Sequence, residues 1–163
     1  MLVILEGADG SGKTTLLKQL LEKSYTCKKF LYNKNNKDSK KVAQLYLEYI
    51  RKDEITVIDR SFISDIVYRC NDDNPPRDFG ADTAVYILNA ACKIVYCKTD
   101  TQYEDSIVRG EDNITLKEKA EQISKSYDLF MTFFRKYTNV KIFEYDWHNK
   151  RVDDVVKFIQ EDC

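Results

Sequence analysis

Eight consecutive residues carry the clearest chemistry in this chain. Gly7-Ala8-Asp9-Gly10-Ser11-Gly12-Lys13-Thr14 fits the pattern G-x-x-x-x-G-K-[ST] at every fixed position. Glycines let a backbone turn tightly enough for successive N–H groups to converge on phosphate oxygens. The helix expected next adds the positive end of its dipole. Lys13 is placed to meet the β- and γ-phosphates as a point charge, and the Thr14 hydroxyl is placed to ligate Mg²⁺. The pattern therefore predicts ATP and Mg²⁺ as cofactors. The donor-binding set is Gly7, Asp9, Gly10, Ser11, Gly12, Lys13, Thr14 and the adjoining Thr15. A GTPase would carry an N-K-x-D guanine reader. Asn33-Lys34-Asn35-Asn36 lacks the aspartate and comes too early in the chain.

Asp59-Arg60 is the second pair able to do chemistry. It follows the β-branched run Ile55 to Ile58, at the end of an expected strand. In open parallel sheets, ligands bind beyond the carboxyl ends of strands, so both side chains are expected to face the glycine-rich turn. Asp59 can hold Mg²⁺ directly or through water. Arg60 offers a forked donor suited to a second phosphate, the cation an anionic acceptor needs.

The elements that must position these residues are legible as alternating patterns. Leu2 to Leu5 reads as a strand buried on both faces, and Thr14 to Lys23 as a helix. Lys29 to Tyr32 is a short strand candidate, Asn33 to Lys40 is turn-like, and Val42 to Ile50 resumes helical spacing. Ser61 can cap a helix running to about Cys70. Asn71 to Asp78, with Pro75 and Pro76, reads as a loop. A helix is expected over Ala81 to Ala91, a strand over Lys93 to Cys97, and a helix over Thr101 to Val108 broken by Arg109-Gly110-Glu111-Asp112. Leu116 to Tyr137 reads as a long helix, Val140 to Tyr145 as the last strand and Val152 to Ile159 as the last helix. Five strands alternating with helices predict an α/β three-layer sandwich around a five-stranded parallel sheet, and the glycine-rich turn makes it of the P-loop NTPase type. One domain over residues 1–163 is expected, since no repeat or linker divides the chain.

Composition narrows the partners. Of 163 residues 33% are charged, yet the net charge is −1, so no global positive field draws in polymeric nucleic acid. A small anionic nucleotide is the expected partner. The five cysteines include no C-x-x-C pair and there is one histidine, which argues against a zinc site. With an odd count and no secretory leader, reduced thiols in a cytoplasmic compartment are expected. No apolar run approaches membrane-spanning length.

Three segments together resemble the thymidylate kinase family of nucleoside monophosphate kinases, in a compact form similar to viral or phage members, which would place it in a host cytoplasm. Glu6 to Thr14 is similar to the family's E-G-x-D-G-x-G-K-[ST]. Asp59 to Tyr68 resembles its D-R-[YHS]-x-x-S-x-x-x-Y, and Arg109 to Asp112 resembles its arginine-bearing lid, here about 109–116. The resemblance implies phosphorylation of a deoxynucleoside monophosphate, dTMP foremost. It implies that Asp9 touches the acceptor sugar's 3′-hydroxyl or the Arg60 region, and that Arg60 grips the acceptor phosphate. Ser64 and Tyr68 line the acceptor pocket, Tyr127 faces the base, and Arg109 closes over the transferring phosphoryl group. With Gly10 in the P-loop, the catalytic arginine falls to the lid; Lys13, Arg60 and Arg109 form the expected catalytic set. Family members are commonly dimers, so a homodimer is expected.

The chain also departs from the family. Asp38 to Lys52 is short and has no arginine before Arg51 to accompany a base-stacking aromatic. Tyr46, Tyr49 and Phe62 are candidates for that stacking, with the core as their default place. Trp147 and His148 lie where adenine could sit, but a tryptophan after a strand is more often a core edge. Arg69 and Arg77 are further cations near the expected acceptor cleft. Two rival readings remain. A deoxynucleoside kinase needs a base to deprotonate a hydroxyl, and Leu31-Tyr32-Asn33-Lys34 supplies no acid where one is expected. A non-enzymatic switch module would bind ATP without acceptor-dependent turnover.

Overall fold

Leu2, Val3, Ile4 and Leu5 are fully buried, as a strand covered on both faces requires. In the computed structural model, which describes residues 1–23, 25–29, 39–71, 81–90, 92–98 and 117–161, they open strand β1 (Leu2–Glu6). The order continues with α1 (Lys13–Glu22), β2 (Thr26–Lys29), α2 (Ser39–Ile50), β3 (Thr56–Asp59) and α3 (Phe62–Asn71). Then follow α4 (Ala81–Asn89), β4 (Cys92–Cys97), α5 (Lys117–Tyr137), β5 (Lys141–Tyr145) and α6 (Val152–Gln160). All strand pairings are parallel, in the order β2-β3-β1-β4-β5. Among the described residues no helix is long and apolar enough to cross a membrane.

Alternation along the strands divides the core in two. Leu2, Ile4, Ile58, Ile94 and Tyr96 turn to one face, where α2, α3, α4 and α5 contribute Tyr46, Phe62, Ile63, Val67, Ile87, Ile123 and Tyr127. Val3, Leu5, Val57, Val95 and Cys97 turn to the other, covered by Leu16, Leu17 and Leu20 of α1 and Val155, Phe158 and Ile159 of α6.

Two elements start three residues from expectation, and the other starts lie within one residue of it. Strand β2 begins at Thr26, three residues before the expected start at Lys29. It is placed by its register on β3, where Thr26 pairs with Thr56 and Lys29 with Asp59. Thr-Cys-Lys-Lys on a sheet edge has no apolar alternation to reveal it. Helix α2 begins at Ser39, inside the stretch expected to be a turn, because lysines are good helix formers and hide a helix start. The expected helix over 101–108, the lid with Arg109, the loop from 72 to 78 with Pro75, Pro76 and Arg77, and Asn33 to Asp38 lie outside the described residues.

Candidate active site

The carboxyl ends of β1 and β3 bring the two expected clusters together. Gly7, Gly10 and Gly12 take positive φ angles of 144°, 81° and 83°, the conformations that glycine adopts at least cost. Gly12 is the N-cap of α1, with no side-chain cap and no acidic residue in the first turn. The helix N-terminus therefore presents its unpaired N–H groups and its positive dipole end towards the loop. Thr14 and Thr15 are exposed on this first turn.

Lys13 is buried and folds back over the loop. Its Nζ donates to Gly7 O at 2.8 Å, Ala8 O at 2.6 Å and Ser11 Oγ at 3.2 Å. Burial pulls its ammonium down to about 8, with the Arg60 charge acting in the same direction. Asp59 ends β3 nearly buried, and its Oδ1 has no hydrogen-bond partner among the described residues. A buried carboxylate oxygen left without a donor is what a hard cation takes, so Asp59 and Thr14 fit Mg²⁺.

Arg60 is half-buried and pairs through Nη2 with Asp9 Oδ1. Its guanidinium lies 5.1 Å from the centre of the Tyr68 ring, close enough for a cation–π contact. Tyr68 Oη in turn accepts the Asp9 N–H at 3.1 Å. Asp9, Arg60 and Tyr68 thus form one cluster beside the phosphate loop. Arg60 has φ 69°, the one positive value at a non-glycine among the described residues.

Ser64 and Tyr127 are both buried and bonded to Glu6. Tyr127 is fully buried, stacked on Tyr96 with ring centres 6.0 Å apart. Its hydroxyl lies 2.8 Å from Ser64 Oγ and 3.2 Å from Glu6 Oε2. Ser64 Oγ donates to Glu6 Oε2 at 2.6 Å, and Ser61 Oγ donates to Glu6 Oε1. In this conformation Tyr127 offers no surface to a base, because its ring is spent on the core and its hydroxyl on Glu6. Burial pushes the Glu6 carboxyl above its usual range, opposed by the hydrogen bonds from Ser61 and Ser64 and the charges of Arg60 and Lys13.

The residue types of Glu6 were visible in the motif, but its partners were not. The available signal was parity: Glu6 shares a strand face with Leu2 and Ile4, the face that α3 and α5 cover. Tyr46, Tyr49 and Phe62 are core residues, with the Tyr46 and Phe62 rings edge to face at 5.9 Å. Arg69 pairs with Asp65 one turn back on α3 at 2.9 Å. Trp147, 41% exposed, does more than close a core edge. A Cβ on Gly12 would meet its indole at 2.9 Å, so the ring lies against the phosphate loop, with His148 stacked on it at 3.8 Å.

No protein-family model matches the sequence, and no curated protein matches it either. Solved structures do match. The YorR protein of Bacillus subtilis, in complex with phosphorylated GDP, superposes with a TM-score of 0.74 at 23% identity, over 98% of this chain and 93% of that one. Deoxyadenosine kinase from M. mycoides with bound dCTP gives 0.63 at 18% identity, covering 98% of both chains. Thymidylate kinase from Ehrlichia chaffeensis gives 0.57 at 15% identity, again over 98% of both. At these identities the likeness is one of fold: the chain has the parallel α/β fold of P-loop nucleotide and nucleoside kinases.

Proposed function

We propose that this protein transfers the γ-phosphoryl group of ATP to a deoxynucleoside monophosphate, with dTMP the favoured acceptor. The observation that carries the reading is the Asp9–Arg60–Tyr68 cluster set directly beside a complete phosphate loop. Such a cluster offers a preformed cation where a second, anionic nucleotide would approach. Gly7, Gly10, Ser11, Gly12, Lys13, Thr14 and Thr15 bind the donor phosphates. Thr14 and Asp59 hold Mg²⁺, which when bound neutralises charge on the β- and γ-phosphates. Arg60 grips the acceptor phosphate, Asp9 meets the acceptor sugar and Tyr68 lines the acceptor side. Ser64 and Tyr127 support it from behind, and Arg109 closes the lid. An acceptor phosphate is already a competent nucleophile, so the site needs no strong general base. The dimer, too, belongs to this reading.

A second reading, transfer to a nucleoside hydroxyl, is favoured by the better superposition on deoxyadenosine kinase than on thymidylate kinase. ADP release from ATP-Mg²⁺ against a panel of deoxynucleoside monophosphates and nucleosides decides between the two. Turnover with monophosphates supports the first reading, and turnover with nucleosides alone replaces it by the second. ATP binding without turnover on any acceptor overturns both in favour of a switch module.

Two expected results follow from single residues. Arg60→Ala raises the KM for the monophosphate about 30-fold, the loss of about 2 kcal/mol of charge-assisted contact, and leaves ATP affinity in place. Steady-state kinetics with each substrate varied checks this, and an unchanged KM removes Arg60 from the acceptor phosphate. The second concerns pH. Polyphosphate binds the charged form of Lys13 and so raises the pKa that burial has lowered to about 8. Protonated Lys13 is the binding form, so ATP affinity is flat below pH 8. It falls by about tenfold per pH unit above that, until the bound-state value is reached. The fluorescence of Trp147, the one tryptophan in the chain, follows the titration from its place against Gly12. An affinity that does not change between about pH 7 and about pH 9.5 separates Lys13 from the phosphates.

A further inference from the structure

We propose that Glu6 is a positioning residue whose buried carboxylate, by holding the start of α3, fixes the left-handed backbone of Arg60 and so aims its guanidinium. The acceptor-binding consequence rests on the function proposed above; the backbone consequence does not.

Glu6 is fully buried on a strand face it shares with Leu2 and Ile4, where an aliphatic side chain would avoid the desolvation cost of a carboxylate. That cost is met by hydroxyl donors from two helices. Ser61 meets one oxygen, Ser64 meets the other at 2.6 Å, and the Tyr127 hydroxyl approaches the second at 3.2 Å. Both serines belong to the turn that immediately follows Arg60.

Arg60 also needs holding. A non-glycine residue in the left-handed region is strained, and such conformations persist where the surroundings over-determine them. Here one dipeptide supplies the restraint. Leu5 O accepts the Arg60 N–H at 2.9 Å, and the next side chain, Glu6, accepts the hydroxyl of the next residue, Ser61. Ser61 is fixed a second time, because its Oγ accepts the Ile63 N–H at 3.1 Å as the cap of α3. The Arg60 N–H and the Ser61 side chain are therefore both tied to β1, and the guanidinium is directed at Asp9 and the Tyr68 ring. Glu6 touches neither substrate; it acts through Ser61 and Arg60.

The test compares the wild-type protein with Glu6→Ala and Glu6→Gln, the latter keeping one acceptor oxygen and the side-chain shape. Crystal structures give the Arg60 φ angle and the Asp9–Arg60 pairing. Titration calorimetry gives the affinities for dTMP and for ATP. In Glu6→Ala the Arg60 φ is expected to leave the left-handed region. Its dTMP affinity is expected to fall about tenfold or more while ATP affinity stays within about twofold, with Glu6→Gln recovering part of the loss. An Arg60 φ unchanged in Glu6→Ala overturns the proposal, and so does an equal loss of both affinities, the mark of a merely structural residue. Should Glu6→Ala not fold, the same two readings on Glu6→Gln decide. If the wild-type protein binds no monophosphate, the function proposed above fails, and the Arg60 φ comparison alone decides the role of Glu6.

Discussion

A Gly7→Ala protein is expected to bind ATP about 100-fold more weakly than the wild type, a loss near 3 kcal/mol, and to melt at a lower temperature. Gly7 sits at φ 144°, where L side chains rarely settle. A Cβ there would fall on the carbonyl oxygen of Cys97, far inside van der Waals contact, and 2.8 Å from Ser11 Oγ. The first obstacle is backbone at the end of β4, so no side-chain rotation relieves it. Either the loop or the strand end must move. Gly7 O is also one of the acceptors of the Lys13 ammonium, so the displacement reaches the cation proposed to meet the phosphates. Titration calorimetry with ATP and a thermal melt read both effects. An ATP affinity within about threefold of the wild type would show that the loop tolerates the shift and that its shape matters less than its charge.

Lys93→Met is expected to cost about 3–5 kcal/mol of stability, a fall of about 10 °C in Tm for a chain of this size, with ATP affinity unchanged. Lys93 is buried in β4 and reaches the end of α6. There its Nζ donates to Phe158 O at 2.8 Å, to Ile159 O at 3.0 Å and to Glu161 O. The last carbonyls of a helix have no partners within it, and a cation there also complements the dipole. Methionine preserves the stem of the side chain and removes the donor, so it leaves buried carbonyls without hydrogen bonds. The phosphate loop lies at the other end of the sheet, since Lys93 pairs with Val3 and the loop follows Glu6. Calorimetric melting tests this. A fall of less than about 3 °C would mean that water replaces the ammonium at little cost.

How far the sequence could be read depended on the range of the interactions. The phosphate loop is local, and its eight residues declare their conformation through glycine positions and flanking apolar runs. Strand β1 was equally plain as an unbroken apolar run, and β3 and β4 were marked by their Val-Ile and Ile-Val-Tyr centres. The edge strand β2 was misplaced by three residues, since its position is set by pairing with β3 and not by its own pattern. The expected pairing of Asp9 with the Arg60 region stands 51 residues apart in the chain and came only from the family resemblance. The Glu6 cluster, with partners 55, 58 and 121 residues away, was not anticipated at all. Nor was Lys93, which read as one more strand residue. Both are polar groups in positions that a pattern of hydrophobicity assigns to the interior. What they do there is decided by which helix end or hydroxyl the fold delivers to them.

The two cores on opposite faces of the sheet have a consequence for how such a protein can diversify. The helix that begins at Lys13 is seated in the core of Val3, Leu5 and Val95, whereas the helix carrying Ser64 and Tyr68 is seated in the core of Ile4, Ile63 and Tyr127. On the proposed reading, donor and acceptor are thus served by separate hydrophobic layers, with the sheet as a partition between them. Substitutions around Ile63, Val67 or Ile123 can reshape the acceptor side while the donor side is inherited unchanged. Lineages sharing this architecture are then free to exchange one substrate for another without rebuilding the machinery that handles ATP.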